Sequence, residues 1–403
     1  MDKLCYRCNK RQKVLLSDDA EYYRRCRETF IKPSEMPEKW NTPMNYGCPY
    51  DCGICPSHEQ HSCLTLIELT DHCNLDCPIC YASSGTHRKD SYRTFEHILQ
   101  MLDAIVENEG EPDVVQLSGG EPTLHPEFFE ILDACKQRPI KHLMINTNGI
   151  RIANEPEFAA RLATYMPGVE VYLQFDSLNA EALKRLRGAD LRSIRSKALR
   201  NLEDNAMSTT LVCTVQKGLN DSEFGDIIDH ALQWSCVRGV TFQPIQNAGR
   251  CEDYDPAVDR LTLSEIRRAI GEQSSSFIAD DVLPVPCHPD SIAMAYALKL
   301  SSQVIPLTRH IEDEMMMNSP RSTIQFEHDE DLKSRVLDLL STSQGPEGAS
   351  SSLAQLLCCL PDLVVPGEIS YENVFRIIIM DFIDAHSFDM RSVKKTCVHV
   401  VAP

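Results

Sequence analysis

Short apolar runs alternate with amphipathic stretches along most of the chain. Runs rich in Val, Ile and Leu predict buried strands, and longer stretches with apolar residues three or four apart predict helices. The predicted strands are 64–70, 114–117, 140–146, 169–175, 209–215 and 240–245. The predicted helices are 94–108, 127–137, 156–165, 180–205 and 221–234. Because strands and helices alternate, the pattern predicts an α/β fold in which a parallel sheet curls into a partial (β/α)6 barrel of the TIM type.

The ends of the chain have different patterns. Residues 1–62 are rich in cysteine and are expected to form a metal-binding or iron–sulfur segment before a barrel at 63–250. Residues 251–403 are expected to form an extension that covers the barrel and supplies auxiliary cluster ligands. Apolar residues at helical spacing in 371–386 predict a last helix, so this extension is expected to be α-rich.

Charge and cysteine content restrict the function. The chain has 40 Lys and Arg against 59 Asp and Glu, which argues against a nucleic-acid binder that would need a basic face. No apolar run approaches the roughly 20 residues of a membrane span, and the first residues lack the apolar core of a signal peptide. A cytoplasmic protein is therefore expected. In a reducing compartment, 18 cysteines indicate metal sites rather than disulfides.

Three cysteines lie close together in the stretch CNLDCPICY. The C-x3-C-x2-C spacing of Cys73, Cys77 and Cys80 suits three corners of a [4Fe–4S] cluster, which leaves one iron open. S-adenosylmethionine (SAM) can chelate that iron and be cleaved reductively to a 5'-deoxyadenosyl radical. Tyr81 would pack beside the adenine. The alternatives are a zinc knuckle or buried loop thiols.

A second motif agrees with this hypothesis. The predicted strand 114–117 ends in SGGEP, where Gly119 and Gly120 allow close backbone approach and Glu121 can accept from an ammonium group. About forty residues after the cysteines, this motif resembles the SAM-binding motif of the radical SAM superfamily, and it implies a barrel of that type. Other polar residues at predicted strand ends are interpreted as a SAM and substrate cradle, although each alone could be an ordinary cap. They are Asn146, Asn148, Gln174, Asp176, Thr214 and Gln243.

The remaining N-terminal cysteines predict further metal sites. Cys48, Cys52 and Cys55 repeat the C-x3-C-x2-C spacing and suggest a second iron–sulfur site. The alternative is a structural zinc with Cys63 as fourth ligand. Another group, Cys5, Cys8 and Cys26, supplies three of the four ligands of a rubredoxin-like or zinc-ribbon site. It could hold one Zn or Fe, and a weak or absent site is the alternative.

A narrower resemblance joins these motifs. The stretch GCPYDCGICPSHEQHSCLTLIELTDHCNLDCPICYA, with SGGEPTLHPEF, INTNGIRIA, LQFDS and VPCHPDS, resembles the tetraether lipid synthase subfamily of radical SAM proteins. Members of that subfamily are also called 7,8-dihydro-6-hydroxymethylpterin dimethyltransferases. The resemblance implies one or more auxiliary [4Fe–4S] clusters. Cysteines that match its cysteine-bearing motifs are Cys48, Cys52, Cys55, Cys287 and Cys397.

Together these observations predict an enzyme that abstracts hydrogen from an unactivated C–H bond. The resemblance implies carbon–carbon bond formation on lipid chains, with electrons from a ferredoxin or flavodoxin and with peripheral membrane contact. Methylation of a pterin-like small molecule is the alternative, and an iron–sulfur carrier or sensor is an alternative of another class. The SGGEP motif argues against a carrier, which has no use for SAM. Because the chain has few aromatic residues (7%) to stack on a pterin, a lipid is favoured, and with it an apolar channel past residues 47–63.

Overall fold

The structure is a computed structural model of the chain. It describes residues 1–5, 7–29, 35–89, 91–252, 254–300, 303–310, 317 and 373–402.

The N-terminal segment forms a hairpin and one helix. Strand β1 (Asp2–Leu4) pairs antiparallel with β2 (Arg11–Lys13), and α1 (Ala20–Glu28) follows. The Asp19 side chain caps α1 by accepting from two amides of its first turn, which satisfies donors that a helix start leaves without partners.

The barrel elements follow the predicted order. The strands are β3 (Leu64–Thr70), β4 (Ile79–Cys80), β5 (Val114–Gly119), β6 (His142–Thr147), β7 (Val169–Gln174), β8 (Thr209–Val215), β9 (Val237–Pro244) and β10 (Arg250–Cys251). The helices are α2 (Phe95–Glu109), α3 (Phe128–Lys136), α4 (Ile150–Asn154), α5 (Pro156–Ala163), α6 (Ala180–Arg187), α7 (Arg192–Asp204), α8 (Phe224–Leu232) and α9 (Leu263–Gln273). The helix predicted over 180–205 is two helices, because Gly188 adopts a left-handed conformation (φ 82°) that ends α6.

The C-terminal extension completes the sheet. Its strands are β11 (Leu283–Pro284), β12 (Ile292–Leu300), β13 (Gln303–Pro306), β14 (Val374–Met380) and β15 (Val398–Val401). The sheet order is β11-β12-β14-β9-β8-β7-β6-β5-β3-β15, with β13 beside β12. Strand β14 is parallel to β9, and β15 is parallel to β3. The six predicted parallel strands are therefore confirmed, and the extension adds one parallel strand at each end of them.

One prediction for the extension is wrong. Within the helix predicted over 371–386, the described residues form strand β14 (Val374–Met380), which lies between β12 and β9, and no α-helix. The run Ile377-Ile378-Ile379 is β-branched and buried on both faces, and a short apolar run of this kind does not distinguish a buried strand from a buried helix. The extension is thus helical in α9 and in a short helix over Met390–Lys394, and its other regular elements in the described residues are mainly strands.

Two apolar clusters divide the core. The first lies between the sheet and the helices and includes Leu117, Leu102 and Phe128. The second contains alternate residues of the same strands, and no residue of α1–α9, so it fills the inside of the barrel. Its members include Leu66, Val114, Met144, Tyr172, Val212 and Ile378. Apolar side chains fill the barrel interior, so the polar side chains lie at the carboxyl ends of the strands. Barrel enzymes have their active sites at this end.

None of the helices that the described residues form has both the length and the apolar character that a membrane crossing requires.

Candidate active site

The cysteine loop follows β3 at the barrel mouth. Cys73 and Cys77 are buried, and Cys80 lies half-buried on β4. Strand β4 pairs with β10, and the Arg250 side chain donates to the carbonyl oxygens of Cys77 (2.6 Å) and Ser84 (2.9 Å). The loop is therefore held in shape by residues that follow the last barrel strand predicted from the sequence.

The two glycines of SGGEP allow β5 to approach this loop. A Cβ atom on Gly119 would lie 2.4 Å from the Thr70 carbonyl oxygen, and one on Gly120 would lie 2.0 Å from the His72 carbonyl oxygen. The Gly120 amide donates to Thr70 (2.6 Å), and the Glu121 amide donates to His72 (2.8 Å). The glycines thus place the SGGEP motif directly against the backbone that leads to Cys73.

Glu121 is buried and organises the loop around it. Its carboxylate accepts from the Thr123 hydroxyl (2.5 Å), the Thr147 hydroxyl (2.7 Å) and the Asn148 amide (2.8 Å). Burial raises the pKa of Glu121, although these hydrogen bonds act in the opposite direction. The Thr123 amide also donates to it (3.2 Å), so four protein donors fix the position of the carboxylate. Its direct contact with an ammonium group stays a prediction.

Asn148 connects Glu121 to the cysteines. Its amide nitrogen Nδ2 donates to Asn74 Oδ1 (2.6 Å) and lies 3.8 Å from Cys73 Sγ. A weak N–H donor at this distance stabilises negative charge on the sulfur. The predicted cradle residue Asn148 therefore lies beside the predicted cluster ligand Cys73.

Hydrogen bonds join the predicted strand-end residues across the mouth. Asn146 donates to Ser118 (3.0 Å), and Gln174 donates to Asn146 (2.6 Å). The Tyr81 hydroxyl is 2.9 Å from the Ser118 hydroxyl, while Tyr81 as a whole residue is half exposed (51%). Gln243 contacts the Tyr172 hydroxyl at 3.4 Å. The side chains expected to form a cradle are thus brought to one edge of the sheet.

Arg187, at the end of α6, is the residue that sequence reasoning missed. Its guanidinium donates to Asp176 (2.5 Å), Gln174 (2.9 Å) and Thr214 (2.9 Å), and its positive charge acts to lower the pKa of the Cys77 thiol, against the effect of burial. The sequence gives no signal for it, because basic residues are common in the last turn of any helix. Arg187 links three of the predicted cradle residues to the cysteine loop.

Asp176 is the anionic partner of this arginine. It is fully buried (0% exposed) and also lies 3.4 Å from the Arg195 guanidinium. Burial alone would raise its pKa, but the two arginines hold the pKa of Asp176 below its usual value. The carboxylate therefore stays charged and fixes Arg187 beside Cys77.

The auxiliary cysteines do not group as the sequence suggested. Burial raises the pKa of Cys48, and the thiols of Cys55 and Cys52 add to this while Lys394 opposes it. Cys63 instead lies with Cys287 and Cys397, all three sulfurs being within 4.8 Å of one another. Cys63 is therefore not placed to be the fourth ligand of a zinc ion bound by Cys48, Cys52 and Cys55.

The N-terminal three-cysteine set is not assembled. Cys5 and Cys8 are exposed and contact each other, whereas Cys26 is buried in the main apolar core against Tyr22. Burial raises the pKa of Cys26 to about 12, as expected for a core thiol. The mononuclear site predicted from Cys5, Cys8 and Cys26 has no support in this geometry.

A comparison with known families identifies the domain. Residues 67–231 match the model of the radical SAM superfamily. The chain contains a radical SAM domain. It is 29% identical to 7,8-dihydro-6-hydroxymethylpterin dimethyltransferase of Methanocaldococcus jannaschii, over 96% of this chain and 82% of that protein. It is 33% identical to a mycofactocin maturase of Mycobacterium ulcerans, over 52% of this chain and 56% of that protein.

Among solved structures, the chain is similar to SuiB of Streptococcus suis bound to S-adenosylmethionine. The TM-score is 0.41 with 17% identity, over 52% of this chain and 46% of that chain. The chain thus spans about half the length of the maturase and of SuiB.

A radical SAM domain implies a [4Fe–4S] cluster and SAM, and the thiols at the mouth fit such a cluster. Burial, followed by the charge of Glu121, raises the pKa of Cys73 to about 12, and burial also raises the pKa of Cys77. Thiolates at these positions therefore need a cationic partner. Iron binding would supply it and release the thiol protons, and Arg187 already adds positive charge beside Cys77.

A cleft opens next to the cysteine loop. Its volume is about 610 Å³, and Pro78 and Ile79 of the loop form one side. Its lining carries five charged side chains, namely Asp76, Arg185, Arg250, Glu252 and Asp259. Such a surface suits a polar ligand. The apolar channel expected past residues 47–63 stays a prediction, since much of the extension, at 311–316 and 318–372, lies outside the described residues.

Proposed function

We propose that this radical SAM enzyme abstracts hydrogen from an unactivated C–H bond of a polar, pterin-like heterocycle, as the activating step of a radical methylation, and that the hydrogen passes to the 5'-deoxyadenosyl radical. The charged cleft beside the cysteine loop is the observation that carries this proposal. A long alkyl chain gains about 0.8 kcal/mol for each buried methylene only where apolar walls follow it. A heterocycle with several donors and acceptors instead needs convergent polar groups, which this cleft offers. The name of the M. jannaschii relative agrees with such a substrate.

In this proposal, Cys73, Cys77 and Cys80 hold the cluster. When bound, the cluster and SAM supply the radical chemistry that removes hydrogen from the substrate. The backbone at Gly119 and Gly120 lines the SAM position, and the polar strand-end residues orient the nucleoside and the substrate. Glu121 and Arg187 act as positioning residues, because both hold the cradle against the cysteine loop.

Cys48, Cys52 and Cys55 are proposed to hold an auxiliary [4Fe–4S] cluster. Their spacing repeats that of the cysteine loop, and their thiols influence one another. About eight irons per chain in anaerobically purified protein would support two four-iron clusters.

The competing hypothesis is carbon–carbon bond formation on lipid chains, which the resemblance to tetraether lipid synthases supports. The two hypotheses differ in the hydrogen donor. We would incubate the reconstituted enzyme with SAM, a reductant and either a deuterated pterin or a deuterated isoprenoid lipid, and measure deuterium in 5'-deoxyadenosine. The proposal predicts deuterium from the pterin, and deuterium from the lipid alone would contradict it.

A substitution in the cleft tests whether the substrate binds there. Arg185→Leu removes a charge from the cleft lining and should raise KM for the pterin about tenfold or more, as expected for loss of a charged hydrogen bond. Arg192→Leu is the matched control, since Arg192 is exposed and pairs with Asp190. Equal effects of the two substitutions would show that the cleft does not bind the substrate.

A further inference from the structure

Three buried thiols form a compact group away from the cysteine loop. Cys63, Cys287 and Cys397 are 0%, 2% and 1% exposed, and their sulfurs lie within 4.8 Å of one another. The Cys287 and Cys397 sulfurs are 3.5 Å apart. Since the three residues are far apart in sequence, only the fold brings them together.

Strand register explains two of these positions. Val398 of β15 pairs with Leu64 of β3, and the Leu64 amide donates to the Cys397 carbonyl oxygen (3.1 Å). Cys397 and Cys63 are the residues that immediately precede this pair. The parallel register therefore places their side chains next to each other at the start of two neighbouring strands.

The third thiol, that of Cys287, belongs to the opposite end of the sheet. Cys287 lies in the tight connection between β11 and β12, where the His288 amide donates to the Val285 carbonyl oxygen (3.1 Å). In the sheet order, β11 is the first strand and β15 is the last. The three thiols thus join the two ends of a sheet that curls around the barrel.

The spacing suits one ion rather than a cluster. With Zn–S bonds of about 2.3 Å, a tetrahedral zinc holds its sulfur ligands about 3.8 Å apart. A four-iron cluster binds each cysteine to a different iron, so its cysteine sulfurs stand farther apart. The 3.5 Å separation of Cys287 and Cys397 matches the first arrangement.

His61 offers a fourth ligand next to Cys63. Its Nε2 atom is 3.5 Å from Cys63 Sγ, about the N–S edge of a zinc tetrahedron. Its Nδ1 atom is 2.9 Å from the buried carboxylate of Glu109, the arrangement that orients zinc-binding histidines. Nε2 also lies 3.6 Å from Glu35. It falls outside the group of three thiols, so the ring has to move toward Cys287 and Cys397 to complete the site.

We infer that Cys63, Cys287, Cys397 and His61 form a site for a single zinc ion that fastens the two ends of the sheet. The site is structural and closed, because four protein ligands complete the tetrahedron and leave no position for a substrate. It reassigns Cys287 and Cys397 from the auxiliary cluster implied by the resemblance. The inference does not depend on the proposed substrate.

Zinc-edge X-ray absorption of the anaerobically purified full chain tests the ligand set without any substitution. The expected shell has three sulfurs at about 2.3 Å and one nitrogen at about 2.0–2.1 Å. A shell of four sulfurs, a shell without sulfur, or the absence of zinc would each overturn the inference. A disulfide between Cys287 and Cys397 in the same preparation would overturn it as well.

Metal analysis of variants locates the ion. Cys287→Ala should lose one zinc per chain and keep its iron, whereas Cys135→Ala, which removes a buried thiol of α3, should lose neither. The double variant Cys5→Ala/Cys8→Ala should keep the zinc and excludes the exposed N-terminal pair as its source. Loss of about four irons from Cys287→Ala, with zinc unchanged, would show that these thiols hold a cluster.

Hydrogen exchange tests the fastening role. Removing zinc with a chelator should speed exchange of the β15 amides at least tenfold, because this edge strand would lose the link to Cys287. Amides of β6, in the middle of the sheet, serve as the internal control. Unchanged exchange in β15 after complete zinc removal would contradict the role.

Discussion

At the scale of single residues, Arg187 and Asp176 determine the geometry of the mouth. The pair is buried, with side chains 12% and 0% exposed, and Arg187 extends from it to Gln174, Thr214 and the Cys77 thiol. Removing Arg187 leaves the buried Asp176 carboxylate with only the longer contact to Arg195 (3.4 Å) to compensate its charge, in a place that water does not reach.

Arg187→Gln should therefore lower the free energy of unfolding by about 3–5 kcal/mol and weaken SAM binding. Arg192→Gln is the control, because its pair with Asp190 is exposed and is expected to contribute less than about 1 kcal/mol. Anaerobic denaturant titration measures the first effect, and equilibrium dialysis with SAM measures the second. Similar losses in both variants would argue against a special role for Arg187.

Gly120 is the second residue on which the site depends. Because a Cβ atom there would lie 2.0 Å from the His72 carbonyl oxygen, Gly120→Ala should displace the backbone next to Cys73. We expect the variant to lose most of the iron bound at the cysteine loop, as measured by iron analysis after reconstitution. Gly218→Asn is the control, since nothing lies within 4 Å of its Cβ position and asparagine tolerates a left-handed conformation. Full iron occupancy in Gly120→Ala would contradict this account.

At this scale the sequence predicts some residues and not others. Cys73, Cys77 and Cys80 are recognised because the three ligands lie within one loop and their spacing is itself the motif. Arg187 is not recognised, because its importance depends on contacts with residues on other strands. Glu121 is recognised as a motif residue, but its buried network of donors is a property of the folded loop.

At the scale of elements, β14 connects the C-terminal extension to the barrel. It pairs with β9 on one side and β12 on the other. Asp381, the residue after its last position, lies 3.8 Å from the Arg260 guanidinium and near Asp384. Its sequence suggested a helix, because six apolar residues fell at helical spacing. The strand forms because β9 and β12 pair with its two edges and the two apolar clusters cover its two faces, which local sequence does not encode.

Asp381 predicts a pH dependence of stability. Burial raises its pKa to about 7, against the attraction of Arg260. The folded chain therefore holds a proton that the unfolded chain releases near pH 4, so this group makes stability fall as the pH rises from about 4 to about 7. Asp381→Asn should remove this contribution to the pH dependence. The free energy of unfolding of the variant minus that of the unsubstituted protein should therefore increase from about pH 4 to about pH 7 and stay constant above it. Parallel stability profiles from pH 5 to pH 8, measured by denaturant titration, would contradict the prediction.

At the scale of the whole molecule, the sequence predicts the barrel better than the distribution of its cysteines. Alternating strands and helices have local patterns, so their order along the chain was predictable. The grouping of Cys63 with Cys287 and Cys397 depends on the register of β15 with β3 and on the connection before β12. Spacing along the chain instead placed Cys63 beside Cys48, Cys52 and Cys55, because those residues are its neighbours in sequence.

The central claim is that the loop carrying Cys73, Cys77 and Cys80 supports reductive cleavage of SAM. The most direct measurement is the production of 5'-deoxyadenosine by the anaerobically reconstituted full chain with SAM and a chemical reductant. The account predicts turnover by the unsubstituted protein and by Cys135→Ala, and none by Cys77→Ala, because loss of one thiolate leaves the cluster with only two protein ligands. Production of 5'-deoxyadenosine by Cys77→Ala at the rate of the unsubstituted protein would contradict the account.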